Sequence, residues 1–331
     1  MKILIDAMGG DNAPLEIILG AAMARATLSA DVSLVGHETT IRNLATQNAI
    51  DLTGIAIHHA ETHIAMDDNP LDVRSKANCS IRIGMDLLRE GQVDAFVSAG
   101  STGALHLASS LFVRRIPGIH RSAIATIVPL TTPMLLLDSG ANTVVTAQHL
   151  QQFARMGSIY MKNVMNIPSP RVGLLNNGTE ACKGPALLVE THKILSEDEN
   201  INFVGNIEGK GVPFDRCDVL VTDGFCGNIL LKTIEGTAAF TMRKVKGVLM
   251  KNAFTKAGAL ISKKGFDLLK KEFDPTEYGG APFLGIARPV IKAQGSSNAN
   301  AIKNSIRQAI AYAETNMIDE IARLGAGAVE V

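Results

Sequence analysis

Short runs rich in Ile, Leu, Val and Ala recur along the chain, at residues 2–5, 32–36, 55–59, 94–99, 123–128, 134–138, 172–176, 201–205 and 218–223. Runs this short, apolar on consecutive positions, read as strands buried on both faces. Most are followed by segments whose apolar residues repeat at the helical period, at 14–28, 103–113, 146–166, 183–195 and 227–250. Strand-then-helix alternation predicts an α/β protein: three layers, α/β/α, around a large, mostly parallel sheet. No internal repeat, low-complexity tract or linker interrupts the pattern, so one catalytic domain over residues 1–331 is expected.

Several strands run into small and polar clusters: DAMGGDNAP, SAGSTGA, LDSGAN, LNNGTEACKGP, GNIEGK and TDGFCGN. Ligands of open α/β sheets bind beyond the carboxyl ends of the strands, so six such clusters on one sheet edge would exceed what turn chemistry alone needs. The first contains a Gly-Gly pair but neither GxGxxG nor GxxxxGK[ST]. Its glycines allow close backbone approach, while Asp6 and Asp11 would repel a bare anion. The third-to-last strand region offers Asn176, Asn177, Glu180 and Lys183, and residues 223–236 offer Asp223 and Asn228, both at strand-to-helix turns. Helix N-termini suit phosphate, and Lys183 would add a point charge; the plainer reading of any one cluster is capping, with Lys183 solvated.

Composition narrows the classes. Net charge is zero over 331 residues, so no nucleic-acid partner is expected. No apolar leader opens the sequence and no run of about eighteen apolar residues occurs, which points to the cytoplasm. The four cysteines (Cys79, Cys182, Cys217, Cys226) lack CxxC spacing and fit reduced thiols. GxSxG, HExxH and the EF-hand loop are absent, and His58, His59 and His63 match no established metal spacing, so no metal is expected. Cys226 reads as a packed thiol rather than a nucleophile, having no histidine nearby in sequence.

IDAMGGDNAP, SAGSTGA, LLNNGTEACKGP, FVGNIEGK, DGFCGNILLKTIEG and EYGGAPFLGI stand in the order found in the bacterial phosphate acyltransferases of phospholipid synthesis, which the chain resembles from residue 1 to about 315. The resemblance implies a fold like isocitrate and isopropylmalate dehydrogenases, a homodimer, and acyl transfer from acyl carrier protein to inorganic phosphate with no dissociable cofactor. The acyl phosphate would pass to a membrane-bound glycerol-3-phosphate acyltransferase. Phosphate then needs positioning, and the thioester carbonyl needs oxyanion stabilisation. Lys183 and the amides of 183–186 are the candidates for holding phosphate. Asn228, with the amides of Gly227 and Asn228, is the candidate for the carbonyl. Asp6, Asn12 and Asp223 are expected to orient Lys183 and neighbouring amides. Gly9, Gly10, Ser101, Thr102, Gly103, Asn177 and Gly184 complete the expected phosphate and thioester site. The rivals are a phosphotransacetylase-like enzyme using acyl-CoA, a dehydrogenase of the same superfold, and a non-catalytic scaffold.

The chain departs from the family pattern at Val144 (Asp usual), Thr146 (Lys usual), Cys79 (Ser common), Pro185 (Asn frequent) and Gln294 (His expected), whereas Arg74, Lys76 and Ser80 fit. Such changes would lower activity, redirect it or alter packing only. From Arg243 to Phe273 the chain carries nine Lys/Arg and two acids. Met250, Phe254, Ala257, Ile261 and Leu268 fall at spacings of 4, 3, 4 and 7, predicting one apolar helical stripe on a basic protrusion at about 243–273. Lys251, Phe254, Lys256, Ile261, Lys263 and Lys264 would then touch an anionic membrane surface, peripherally, or the acidic carrier protein, unless the stripe packs on a partner subunit.

Overall fold

The computed structural model describes residues 1–272 and 275–326. The strands are β1 (Lys2–Asp6), β2 (Asp31–Gly36), β3 (Ala56–His59), β4 (Ala95–Ser98), β5 (Ala123–Val128), β6 (Met134–Leu137), β7 (Arg171–Asn176), β8 (Asn202–Glu208), β9 (Val219–Val221), β10 (Ala281–Leu284) and β11 (Val290–Lys292). The helices are α1 (Leu15–Thr27), α2 (Glu38–Gln47), α3 (Ser80–Arg89), α4 (Thr102–Ala108), α5 (Ala147–Asn163), α6 (Ala186–Ser196), α7 (Gly224–Leu249), α8 (Ala253–Ile261), α9 (Lys263–Glu272), α10 (Ala299–Ala313) and α11 (Met317–Ala326). Every apolar run became a strand. Two further strands, β10 and β11, escape the pattern because they are short and one holds Pro282.

The strands form one sheet in the order β3-β2-β1-β4-β11-β10-β5-β6-β9-β7-β8. The pleat sends alternate side chains to opposite faces, which sorts the core. Ile3, Ile5, Ala123, Ala125, Val219 and Val221 pack under α1, α5, α6, α10 and α11. On the other face, Leu4, Phe96 and Ile124 meet α3 and α4, while Val128, Leu136 and Leu220 lie with Leu231 of α7. The result is the expected three layers of a mostly parallel α/β fold.

The pairing senses correct one expectation. β1, β2, β3, β4 and β11 run parallel, and so do β6, β9, β7 and β8, but β10 is antiparallel to β11 and β5, and β5 to β6. Three reversals leave the two parallel blocks pointing opposite ways. The clusters after β1 and β4 therefore sit on one sheet edge, and those after β6, β7, β8 and β9 on the other. The six clusters do not share an edge.

The basic segment also differs from expectation. Asn252 and Thr255 make a capping box, at 3.0 and 3.1 Å, that starts α8 and separates it from α7. The predicted stripe is thus divided, with Met250 just after α7, Phe254, Ala257 and Ile261 on α8 and Leu268 on α9, and the residue α8 buries is Ala259, not Ala257. Phe254 and Ile261 are almost fully exposed. Phe273, where the predicted segment ends, lies outside the described residues. Among the described residues no helix is long and apolar enough to cross a membrane.

At the β5–β6 junction the fully buried Asp138 carboxylate accepts five N–H donors. Oδ1 takes the amides of Ile124, Gly140 and Ala141 at 3.0–3.1 Å; Oδ2 takes the amide and side-chain nitrogen of Asn142 at 2.7 and 2.8 Å. The Asn142 carbonyl in turn accepts from Gly224, the first residue of α7, at 2.7 Å. Asp138→Ala strands three buried donors, the Ile124 amide and both Asn142 N–H groups, each worth about 1–3 kcal/mol, so a loss of more than about 3 kcal/mol is expected. Urea unfolding measures it; a loss below about 1 kcal/mol would contradict the assignment.

Candidate active site

A cleft of about 1900 Å³ lies on the second face of the sheet, in the gap between α4 and α7. Its floor runs along β5 past Ile124, Thr126 and Val128, so it reaches both sheet edges. Asp11, Thr102, Lys292 and Gln294 line one end; Ser139, Gly140 and Asn228 line the other. α7 forms one wall through Leu231, Lys232, Glu235 and Met242, and Lys256, Leu260, Lys263 and Phe266 of α8 and α9 close over it.

The end built by β1, β4 and β11 is tight. Asp6, buried, accepts from Ser98 Oγ at 2.8 Å and from the Met8 amide at 3.1 Å. Burial pushes its carboxyl above the ordinary range, against those hydrogen bonds. A Cβ on Gly9 would stand 2.7 Å from both Asp6 Oδ2 and the Gly100 amide, so only glycine fits there. Gly10 has φ +113° and its neighbour Asp11 donates its amide to the Gly295 carbonyl at 2.8 Å. Asn12 Nδ2 donates to the carbonyls of Ser296 and Ser297 at 3.1 and 3.4 Å. The double glycine therefore stitches the β1 turn to the segment after β11. Ser101 is the residue before α4, and Gly103 packs on Pro70, leaving Thr102 as that cluster's contribution to the cleft.

At the other end Asp223 caps α7, accepting from Phe225 and Cys226 amides at 2.9 and 3.0 Å. The Gly227 amide donates to the Asp223 carbonyl, and the carbonyl of Asp138 occupies the space a Cβ would need. This corrects the expected oxyanion amides: the Gly227 N–H is committed inside α7, and its glycine serves close packing. Asn228 keeps its place, its side chain facing the cleft. Asp6 and Asn12 belong to the opposite edge and Asp223 to a cap, so none orients Lys183. Partial burial and the Asp223 carboxylate push the Cys226 thiol up to about 11, the reverse of nucleophile activation.

Lys183 is exposed, beyond β7, and is not among the residues lining the cleft; nor are Asn177 and Gly184. Asn176 organises that turn, donating to the Lys183 carbonyl at 3.1 Å and accepting from the Asn177 amide at 2.8 Å. The Lys183 amide is spent on the Glu180 carbonyl, and Pro185 has none. Of the amides of 183–186, those of Gly184 and Ala186 are left. The departures from the family pattern sort by place. Val144 is solvated; Thr146 caps α5 in a capping box with His149; Cys79 is buried before α3; Pro185 precedes α6. Gln294 alone lines the cleft, donating to Glu235 Oε1 across it at 3.3 Å.

Lys292, Lys232 and Glu235 were not foreseen. Lys292 is only 8% exposed. Its Nζ donates to the carbonyls of Ala99 (3.2 Å) and Ala293, and burial lowers it to about 8 despite the carboxylates of Asp11 and Asp6. In sequence it is merely the last residue of a three-residue strand, a place where lysines usually reach solvent. Among the described residues no group of three or more His, Cys, Asp or Glu side chains could hold a metal ion.

Residues 1–320 match the family described as fatty acid synthesis protein. The chain is 44% identical over 324 residues to a phosphate acyltransferase of Acetivibrio thermocellus, covering 97% of this chain and 95% of that one. It is 46% identical over 312 residues to the phosphate acyltransferase of Oceanobacillus iheyensis, covering 93% and 92%. The chain belongs to the phosphate acyltransferase family. Among solved structures, the phosphotransacetylase of Streptococcus pyogenes shares the fold with a TM-score of 0.63 at 18% identity, covering 95% of this chain and 94% of that one. A 4-hydroxythreonine-4-phosphate dehydrogenase of Klebsiella pneumoniae does so with a TM-score of 0.57 at 14% identity, covering 95% and 99%. These likenesses show that the fold is shared with a phosphotransacetylase and a dehydrogenase.

The buried lysine gives a pH signature. With its pKa below the unfolded value of 10.5, the unfolded chain binds more protons between about pH 8 and 10.5, so Lys292 destabilises below that window and ceases to above it. Relative to Lys292→Met, the native protein should gain about 2–3 kcal/mol between pH 7 and pH 10. Paired urea unfolding at the two pH values tests this; an unchanged difference would mean that Lys292 is not held in a desolvated site.

Proposed function

We propose that the protein transfers a fatty acyl group from acyl carrier protein to inorganic phosphate, releasing acyl phosphate for phospholipid synthesis. The observation that carries this reading is the cleft itself. At about 1900 Å³ it exceeds the roughly 300–1,000 Å³ of ordinary small-molecule pockets, and its lining sets the polar groups of Thr126, Asn228, Lys232 and Lys292 beside apolar Leu231, Met242, Leu260 and Phe266. A long acyl chain fits the side formed by Leu231, Met242, Leu260 and Phe266, with the thioester beside Asn228. A phosphate oxygen attacks the thioester carbonyl; the C–O bond forms, the C–S bond breaks, and the proton of hydrogen phosphate leaves with the thiol. Phosphate is largely dianionic near neutral pH and needs positioning more than a base. Asn228 donates its side-chain amide to the developing oxyanion. Lys183, on the same sheet edge two strands from β6, with the Gly184 and Ala186 amides beside it, is kept as an anion-holding group outside the cleft lining. The chain works as a homodimer, as the resemblance implies.

Purified protein incubated with long-chain acyl carrier protein should release free thiol and hydroxylamine-trappable acyl phosphate only when phosphate is present. Asn228→Ala should lower kcat by about 100-fold, the scale of one lost oxyanion donor. Lys183→Ala should lower phosphate-dependent turnover; full turnover would remove it from the reaction. Faster turnover with short acyl-CoA than with acyl carrier protein would favour the phosphotransacetylase-like reading.

Phe254 and Ile261 are exposed at 90% and 86% beside Lys251, Lys256, Lys263 and Lys264, an apolar tip in a basic setting. That tip stands at the mouth of the acyl cleft, since Lys256, Leu260 and Lys263 line it. We infer that it rests on an anionic lipid surface, where the product is handed to a membrane-bound acyltransferase. Cosedimentation with vesicles containing anionic lipid at low salt should occur and should fall in Phe254→Asp. Its absence, with retained carrier-protein or subunit contacts through the same tip, would redirect the assignment.

A further inference from the structure

Lysine is almost never buried without a carboxylate against it, because the charged form loses its hydration. Lys292 meets carbonyls only: Ala99 and Ala293 take two of its three donors, and among the described residues no carboxylate pairs with it within 4.0 Å. The charges around it are Asp11 and Asp6 on its own side and Lys232 from α7 opposite, close enough to oppose its protonation. Lys232 is held at 2.8 Å by Glu235 Oε2, and Glu235 Oε1 takes Gln294 from the segment after β11. One carboxylate therefore ties α7 to β11 beside two lysines that face each other over the cleft. Asn228 precedes Lys232 by four residues, one turn along the same face of α7.

We propose that Lys292 and Lys232 form a two-sided seat for inorganic phosphate, one helical turn from Asn228. A dianion between them replaces their mutual repulsion by two charge-assisted contacts, which offset its repulsion by Asp11, Asp6 and Glu235, and gives Lys292 the third partner it lacks. Lys232 and Asn228 lie one turn of α7 apart, about 5.4 Å, so phosphate in the seat borders the carbonyl that Asn228 holds and its nearer oxygen can close on the carbonyl carbon. Glu235 keeps Lys232 in place and shapes the seat from the side. Lys292 still carries its charge at neutral pH, its value lying at about 8. This inference rests on the phosphate-dependent acyl transfer proposed above.

Two measurements separate them. Initial rates at saturating acyl donor with phosphate varied should show the phosphate KM raised about ten-fold or more in Lys232→Gln and in Lys292→Met, with the KM for acyl donor within about two-fold of native. Lys232→Arg should recover most of the loss. Lys232 is 60% exposed at its side chain, so that variant folds even if Lys292→Met does not. Calorimetric titration with inorganic phosphate alone, without acyl donor, should show the same losses. Phosphate binding that depends on both lysines, in a native protein that releases no thiol, would uphold the seat and overturn the acyl-transfer reading. Phosphate-dependent turnover with an unchanged phosphate KM in Lys232→Gln would overturn the seat alone.

Discussion

The Asp138 carboxylate fixes the geometry on which the cleft depends. Five N–H groups converge on it, from the strand β5, from the 140–142 turn and from Asn142's side chain, and Asn142 passes the constraint on to the first residue of α7. That carboxylate has its hydrogen-bonding capacity met by N–H groups alone. It is placed where the sheet changes direction, so one residue sets the end of β6, the start of β5 and the entry of the 26-residue helix α7. Gly227 completes the joint, since any side chain there would strike the Asp138 backbone. Asn228, the next residue, is aimed by that contact.

The opposed parallel blocks explain why a single cleft has two unlike ends. In a sheet of uniform direction, strand C-termini and helix N-termini collect on one edge. Here the reversals around β5 and β10 place the glycine-rich turn after β1 and the cap of α7 on opposite edges, and the face of β5 is the path between them. Cations enter from neither turn but from the walls, Lys292 from β11 and Lys232 from α7. Residues of α8 and α9 then cover the same floor, apolar Leu260 and Phe266 beside Lys256 and Lys263.

Much of this is legible in the residues. Apolar runs marked nine of the strands, and the turn clusters marked Thr102 and Asn228, because local patterning and strand-to-helix turns are short-range properties. What is not legible is long-range. Lys292 reads as an ordinary strand-end lysine until β11 is inserted between β4 and β10, an insertion decided by pairing across almost two hundred residues of sequence. Asp138 reads as one acid of a turn until its five donors are assembled. Lys183 shows the converse: helix-start chemistry is read correctly as a turn, but only tertiary placement says whether that turn faces the cleft. The apolar stripe from Met250 to Leu268 has helical spacing, yet the capping box at Asn252 outweighs it and breaks the helix.

Departures from a family pattern carry different weight once each is located. Thr146, where a lysine is usual, caps α5 through a hydroxyl, and Val144 stands in solvent; neither touches the cleft. Gln294 does. It spans from the segment after β11 to Glu235 on α7, so it helps hold the two walls that carry Lys292 and Lys232. A histidine at this place would donate most strongly to Glu235 when protonated and would slacken as pH rises through its titration range. A glutamine amide has no such range, so here the bridge between α7 and β11 stays neutral on one side at every physiological pH. Against the family pattern, the glutamine therefore takes a titrating group out of the contact that joins the two walls.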